Sequence, residues 1–548
     1  MTHFLQHYTL KYTPLSPVNI GADESYEPGN YVIDIDAGAL YSFDSTAAIA
    51  GLSASEKKRL LGIVNGKPDD EMLTKVQAFF HDNRESLLAF ANPPIPTAQG
   101  VKALYEKRIG KTAQHEGQGR RVINKLEIDR TFYNPIDGNP LLPGSSIKGA
   151  IRTALLDQIN NGNPRRGQNL RNQQLQEQLF EGKFDTDPMR LVSIGDAAWH
   201  GKADKPAYQV QFAVNRKRKP VVDELGNLRP SMGENLYQLL ECVSPQQYQS
   251  FQGSLTINTP HAVLKNTAKL PKIQWTIQDI AKACNAFYVG LFWRELAEIK
   301  ERNYLNSDWI RQIEDLLEHG LMQRLNAGQA FLLRVGRHSG AEALTLDGVR
   351  SIRIMQGKGQ PAKTEKQPKT WWLAADQTSD HQNLLPFGWV LVEIDPKQAD
   401  SAVKQWLEGN STDVTDWLKT QLAKQNALQD KAQQRLKQEQ ESLLKQQQME
   451  LELLQEQQAE EHRIANLSPL DQELEAFLKP IQVAEHDTRL LQELEKGRWQ
   501  DDDAKCVAEK VKTLMEQAGK WMPDFAGDNK QKVKLKERSQ KVLKYLQG

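Results

Sequence analysis

Apolar positions alternate one by one in short stretches at the start of the chain. Further on they recur every three to four residues, so the first 400 residues read as strands interleaved with helices. Residues 8–15 and 31–43 have strand alternation, the second turning back at Ala37-Gly38. Ser53-Ala54-Ser55-Glu56 is a capping box that opens a helix to about Ile63, and another helix is expected from about Asp70 to Phe90. Val122, Leu126 and Ile128 predict a strand with a basic start over 121–132. Ile147, Ala150, Ile151, Ala154 and Leu155 then share one face of a helix reaching Ile159. Strands return near 189–194 and 208–215. Thr276 begins a long helix to about Arg302, rich in aromatics (Phe287, Tyr288, Phe292, Trp293), and strands follow near 330–335, 351–355, 369–375 and 386–394. Polar, lysine-rich 357–370 reads as a loop. The order is α+β and compatible with a ferredoxin-like unit.

The last quarter has a different pattern. Residues 413–466 contain neither Gly nor Pro and are dense in Gln, Glu, Lys, Leu and Ala, all tolerant of helix. Leu422, Leu436 and Leu443 fit a seven-residue repeat that Gln429 and Glu450 interrupt, so a solvated single helix and a coiled coil fit equally. Ser468-Pro469 stops it and caps the next helix. Residues 468–548 read as about three short helices, and deleting 413–548 is expected to leave a folded core.

Leu142-Pro143-Gly144-Ser145-Ser146-Ile147-Lys148-Gly149-Ala150-Ile151-Arg152 is a turn opening straight into a helix. Ser145 or Ser146 suits the N-cap, and Lys148 and Arg152 lie four residues apart. Backbone N–H groups, two hydroxyls and two cations at a helix start make an anion site. A capped helix with ordinary surface lysines reads the same way. The nucleotide-binding Gly-x-x-x-x-Gly-Lys-Ser/Thr pattern is absent.

This stretch resembles the glycine-serine turn of the RAMP superfamily, the RNA-binding proteins of CRISPR effector complexes. Four more segments resemble that group in the same order: Tyr8–Gly21 with its Pro17-Val18-Asn19-Ile20-Gly21 turn, Asp187–Asp196, Gly336-Arg337-His338-Ser339-Gly340, and Leu385–Val390. Together they look most like the subunits that cap the crRNA 3′ end in type III-A (Csm) complexes, over about residues 1–395. The resemblance implies two ferredoxin-like (RRM-like) folds, 1–200 and 201–400, followed by a long helix or coiled coil at 413–466 and a helical domain at 468–548. It implies a non-catalytic crRNA-binding subunit that supports crRNA maturation and antiviral defence. Its partners would be crRNA, the adjacent RAMP backbone subunit, the small helical subunit and recruited host nucleases, with no membrane and no cofactor. The alternative within the superfamily is a metal-independent repeat-RNA endoribonuclease.

Charge sharpens this only through its distribution. The 548 residues balance at +0, yet residues 101–220 hold 21 Lys/Arg against 12 Asp/Glu. Lys107, Arg108, Lys111, Arg120, Arg121 and Lys125 flank glycine-containing 110–119, and Arg216-Lys217-Arg218-Lys219 closes a strand. With Ser145, Ser146, Lys148, Arg152 and Arg337 these are the candidate RNA contacts, through phosphate. Arg334 and Arg350 bracket the second glycine turn and extend the track. Each run taken alone also reads as a solvated face. Phe132, Tyr133 and Phe212 either stack a splayed base or belong to strand cores. The lysines of 530–544 fit RNA, an acidic protein face or plain solvation. For catalysis, His115 and His338 are the candidate acid–base groups, and Asp23 and Asp34 lie where target-cutting relatives carry an aspartate; structural readings are preferred for all four. Cys242, Cys284 and Cys506 are far apart, with no CxxC pair, so neither a zinc site nor a disulfide framework is expected. With no signal peptide or apolar span in view, the cytoplasm is the expected compartment.

Overall fold

The strand expected at 8–15 runs from Leu5 to Pro14 (β1), and its burial deepens along its length until Thr13 and Pro14 are enclosed. The reason is its neighbours. β1 lies between Phe251–Asn258 (here β9) and Trp389–Ile394 (β13), antiparallel to both, with Leu10 opposite Gly253 on one side and Ile394 on the other. The computed structural model describes residues 4–67, 70–111, 114–116, 120–122, 126–166, 170–221, 225, 236–260, 269–355, 359–410 and 414–547. It divides into two units, 1–435 and 436–548.

Two sheets organise the first unit. The remaining strands, in chain order, are β2 (Gly21–Tyr26), β3 (Ile128–Thr131), β4 (Leu141–Leu142), β5 (Val192–Ile194), β6 (Ala197–Trp199), β7 (Tyr208–Lys217), β8 (Tyr237–Val243), β10 (Ala330–Arg334), β11 (Thr370–Ala375) and β12 (Leu385–Pro386). The first sheet has the order β10-β13-β1-β9-β6-β4, with β5 also paired to β9. Helices α1 (Gly144–Asn160) and α2 (Ile277–Glu301) are its crossovers. Read along the chain, β1-α1-β5-β9-α2-β13 gives the spatial order β13-β1-β9-β5, which is the ferredoxin-like βαββαβ arrangement, and β10 is an added edge. The helices pack together; the buried Tyr288 hydroxyl donates to the Ala150 carbonyl at 3.1 Å.

The second sheet, β12-β11-β7-β8-β3-β2, does not repeat that order, and its β8 and β3 are parallel. The expected division at 200 therefore does not hold. Each sheet takes strands from both sides of that cut, and one hydrophobic cluster runs from Leu10 to Leu407.

Local departures have local causes. The helix expected over 70–90 breaks into Asp70–Asp82 and Arg84–Leu88 at Asn83, whose backbone leaves the helical range (φ -101°, ψ 22°) and whose side-chain amide also donates to the Phe79 carbonyl at 2.6 Å. The 357–370 loop contains Lys363–Glu365, paired with Ile352–Ile354. A helix at Ser307–Leu316, capped by Asn306 on the Trp309 amide at 2.8 Å, follows α2.

The long helix α3 spans Thr415–Ala465. Its first turns belong to the core. The Trp417 indole donates to the Ala37 carbonyl (2.8 Å), Lys424 pairs with Asp34 (2.6 Å), and the Gln425 amide reaches the Ala91 carbonyl (2.8 Å). Trp417 and Leu428 also cover the cluster built on Val32, Tyr41, Phe79 and Phe80. Deleting from 413 would uncover this cluster, which corrects the expected 413 boundary.

In the second unit, large apolar side chains of α3 from Leu443 to Leu454 are exposed. Four further helices follow, one more than expected: α4 (Pro469–Leu478), α5 (His486–Glu495), α6 (Asp501–Gln517) and α7 (Lys530–Gln547). They share a core of Leu474, Leu490, Leu494, Val507, Val511 and Met515. Ser468 caps α4 as expected. The basic α7 is partly turned inward, since its Arg538 meets the buried Asp487 at 3.2 Å, beside Lys520 of the preceding connection at 2.9 Å. Among the described residues no helix is long and apolar enough to cross a membrane.

Candidate nucleic-acid interface

Helix α1 starts at Gly144 with Pro143 as its cap, so neither Ser145 nor Ser146 is the N-cap; both lie in the first turn, Ser145 exposed and Ser146 half-buried. The anion expected at this helix start is supplied by the protein. Asp196 accepts from the Gly144 amide at 2.7 Å. Glycine is required at 144 by close packing, because a Cβ there would meet the Ile194 carbonyl oxygen at 2.3 Å.

Lys148 and Arg152 are also engaged. Lys148 donates to the Val192 carbonyl at 2.7 Å. Burial, aided by the Arg152 charge and opposed by Asp187, lowers its pKa. Arg152 grips Asp187 with two bonds (3.1 and 2.7 Å), donates to Gln176 (2.9 Å) and lies 4.8 Å over the Phe180 ring. Burial alone would raise the Asp187 carboxyl. The Arg152 bond, the Met189 amide and the charges of Arg152 and Lys148 hold it below its usual range. The 142–152 and 187–196 segments, singled out separately in sequence, thus lock onto each other.

The other three segments meet at a second corner. The Arg337 amide donates to the Asn19 carbonyl (2.6 Å), and the Gly388 amide to the Pro17 carbonyl (2.9 Å). Gly336 has φ +84°, and a Cβ there would lie 2.3 Å from the Asn19 oxygen. Arg337 keeps a 40% exposed side chain but pairs with Asp129. His338 stacks on Trp372 at 4.8 Å and contacts Gln238 at 3.0 Å. Burial, then the charges of Arg337 and Arg334, lowers its pKa to about 4, with Asp129 opposing.

The 216–219 run is corrected most. Arg216, fully buried, donates to the carbonyls of Thr378 and Asp380. Arg218, with a side chain 8% exposed, pairs with Glu342 at 2.9 Å and with Glu298, and lies 4.9 Å over Trp371. Neither arginine presents its charge to a polynucleotide; half-buried Lys217 and exposed Lys219 face outward. Arg334 is likewise internal, paired with Glu295 and donating to the Phe387 carbonyl at 3.0 Å.

Lys111 is exposed. Arg120 and Arg121 lie on a hairpin strand, Arg120–Val122, paired with Gln114–Glu116. Their side chains, that of His115, and Lys125 lie outside the described residues. Asp34 is occupied by Lys424, and Asp23 is exposed at φ 56°. Phe212 is core, Phe132 is 36% exposed and Tyr133 is half-buried. Among the described residues no group of three or more His, Cys, Asp or Glu is placed to hold a metal ion. Sequence reasoning passed over Arg130, which stands between Tyr26 (4.6 Å) and Tyr133 (3.8 Å). Its position one strand-end before Phe132-Tyr133 was the available signal.

The two corners, with their glycine turns set against strand ends, belong to a known class: the chain is a member of the RAMP superfamily, whose family model matches residues 11–337. Among solved structures it is similar to a chain of a Csm–crRNA–target RNA ternary complex of a type III-A CRISPR-Cas system. That match has 17% identity and a TM-score of 0.43, over 71% of this chain and 100% of the other. It is also similar to Csm5 of T. onnurineus, at 16% identity and a TM-score of 0.37, over 70% of this chain and 99% of that one. No curated protein sequence matches it.

Proposed function

We propose that this chain is a non-catalytic crRNA-binding subunit of a type III CRISPR effector of Csm type. It would hold the crRNA near its 3′ end, close the backbone filament there, contact the neighbouring backbone and small subunits, and support maturation by recruiting nucleases. The observation that carries the reading is RAMP membership over residues 11–337. The order of the five sequence segments supports the Csm setting. The state of His338 favours binding over cleavage: an imidazole with a pKa near 4, stacked on Trp372 with Phe387 tilted against it, is neutral at pH 7 and is a poor general acid.

Purified protein incubated with labelled repeat RNA, with and without Mg²⁺, should leave it intact. Affinity should fall with salt, by about 0.7 in log K per log salt for each phosphate held. Specific cleavage of the RNA would replace this reading with the endoribonuclease one, and binding indifferent to salt would remove the phosphate contacts.

A further inference from the structure

A cavity of about 580 Å³ opens beside the second sheet, lined by Tyr26, Arg130, Tyr133, Trp199, Lys205 and Tyr208 among others. Its size is that of a small-ligand site. The aromatic groups are held by their edges. The Tyr133 hydroxyl donates to Glu24 at 2.9 Å, and the Tyr208 hydroxyl to the Gly138 carbonyl at 2.6 Å. Trp199 packs T-shaped against Phe251, 5.0 Å between centroids.

Arg130 is clamped between two rings above a fully buried carboxylate. Glu241 takes the Tyr26 hydroxyl (2.6 Å) and the Thr131 amide (3.1 Å), and lies 3.8 Å from Arg130 Nε. That Nε is buried, and among the described residues it has no hydrogen-bond partner. The charged lining residues are Arg130, Lys202 and Lys205 against Asp137. Leu418 and Leu422 of α3 close one side.

This combination selects a ligand class. Arg130 already faces Glu241 at 3.8 Å and Glu24 at 3.3 Å, so its charge is met within the protein and a bare phosphate is the wrong occupant. Flat rings and a planar guanidinium favour an uncharged heterocycle with a π face. Lysines at the wall suit an anionic tail. Resting on the RNA-binding reading above, we infer that the cavity takes one base of the bound single-stranded RNA, turned out of the strand, with its phosphates toward Lys202 and Lys205.

The test uses the full chain and labelled single-stranded repeat RNA in which one abasic site is walked along the strand. One position should stand out, weakening binding about five- to 150-fold, the range of a single base–aromatic stack. Tyr133→Leu should weaken binding of intact RNA by the same factor and of that abasic RNA no further. Tyr133→Phe, which keeps the ring without the Glu24 bond, should restore affinity. A flat abasic scan with salt-sensitive binding retained overturns the cavity assignment and leaves the RNA-binding subunit standing. A Tyr133→Leu loss that persists on every abasic RNA also overturns it. Failure to bind any of the RNAs overturns both.

Discussion

Arg152, Arg216, Arg218 and Arg334 announce charge in the sequence, and each meets acceptors inside the protein: Asp187, backbone carbonyls, a pair of glutamates and Glu295. A guanidinium's planar fork suits buried pairing as well as phosphate, so residue type alone cannot tell the two uses apart. Removing one partner leaves the other half-buried and uncompensated, which is why Arg152→Ala is a stability variant before it is an RNA-binding variant. His338 gives a cleaner residue-scale prediction. Its folded pKa of about 4 lies below the unfolded value near 6.5. Between those values the unfolded chain binds the extra proton, so stability falls as pH falls through this window, by roughly 3 kcal/mol at its lower end. In selectively labelled protein the His338 ring resonances should stay at their neutral positions down to pH 5 and titrate near 4. A midpoint near 6.5 would contradict the stacked, buried placement.

At the scale of elements, α3 is the instructive case. Its existence was legible, because residues 413–466 lack Gly and Pro and favour helix, but its allegiance was not. Trp417, Lys424 and Gln425 bond to residues near positions 37, 34 and 91, contacts that no local periodicity encodes. A fragment 1–435 should therefore fold with the melting temperature of its unit, while 1–412 should melt on the order of 10 °C lower or precipitate, having lost several large buried apolar groups. Differential scanning fluorimetry of the two fragments decides it. Equal melting points would mean that the first turns of α3 add nothing. Capping explains which other boundaries could be read. The Ser53–Glu56 capping box, the start at Thr276 and the Ser468-Pro469 cap were legible and hold. The Asn83 break has no such motif, since a lone Asn does not mark the backbone turn this residue makes. The helix after Asn306 had a readable cap and apolar rows at 309, 310, 313 and 316, in a stretch between Arg302 and 330 to which the sequence reading assigns no element.

For the whole molecule, strands were largely legible and their partners were not. Alternation marks a strand's faces, but it carries no record of the segment across the ladder. The five segments of the resemblance were found as a list along the chain; the structure gathers them into two corners, and the predicted single basic track is not what they build. The same topology predicts that 1–200 and 201–435, made separately, fail to fold. Circular dichroism and limited proteolysis should show each half without protected structure, and a protease-resistant 1–200 piece would refute the interleaved pairing. The first sheet has a last consequence, in time rather than space. Leu10 meets Gly253 first and finds its second partner only when Ile394 exists. At about 5–20 residues per second, synthesis separates Leu10 from Ile394 by roughly 20–75 s. Throughout that interval β1 has no β13 to cover its edge. Its hydrogen-bonding groups are then open to chaperones or to stray strands of other chains. Stalling translation before residue 389 should leave this end of the protein unprotected, however much else has already folded.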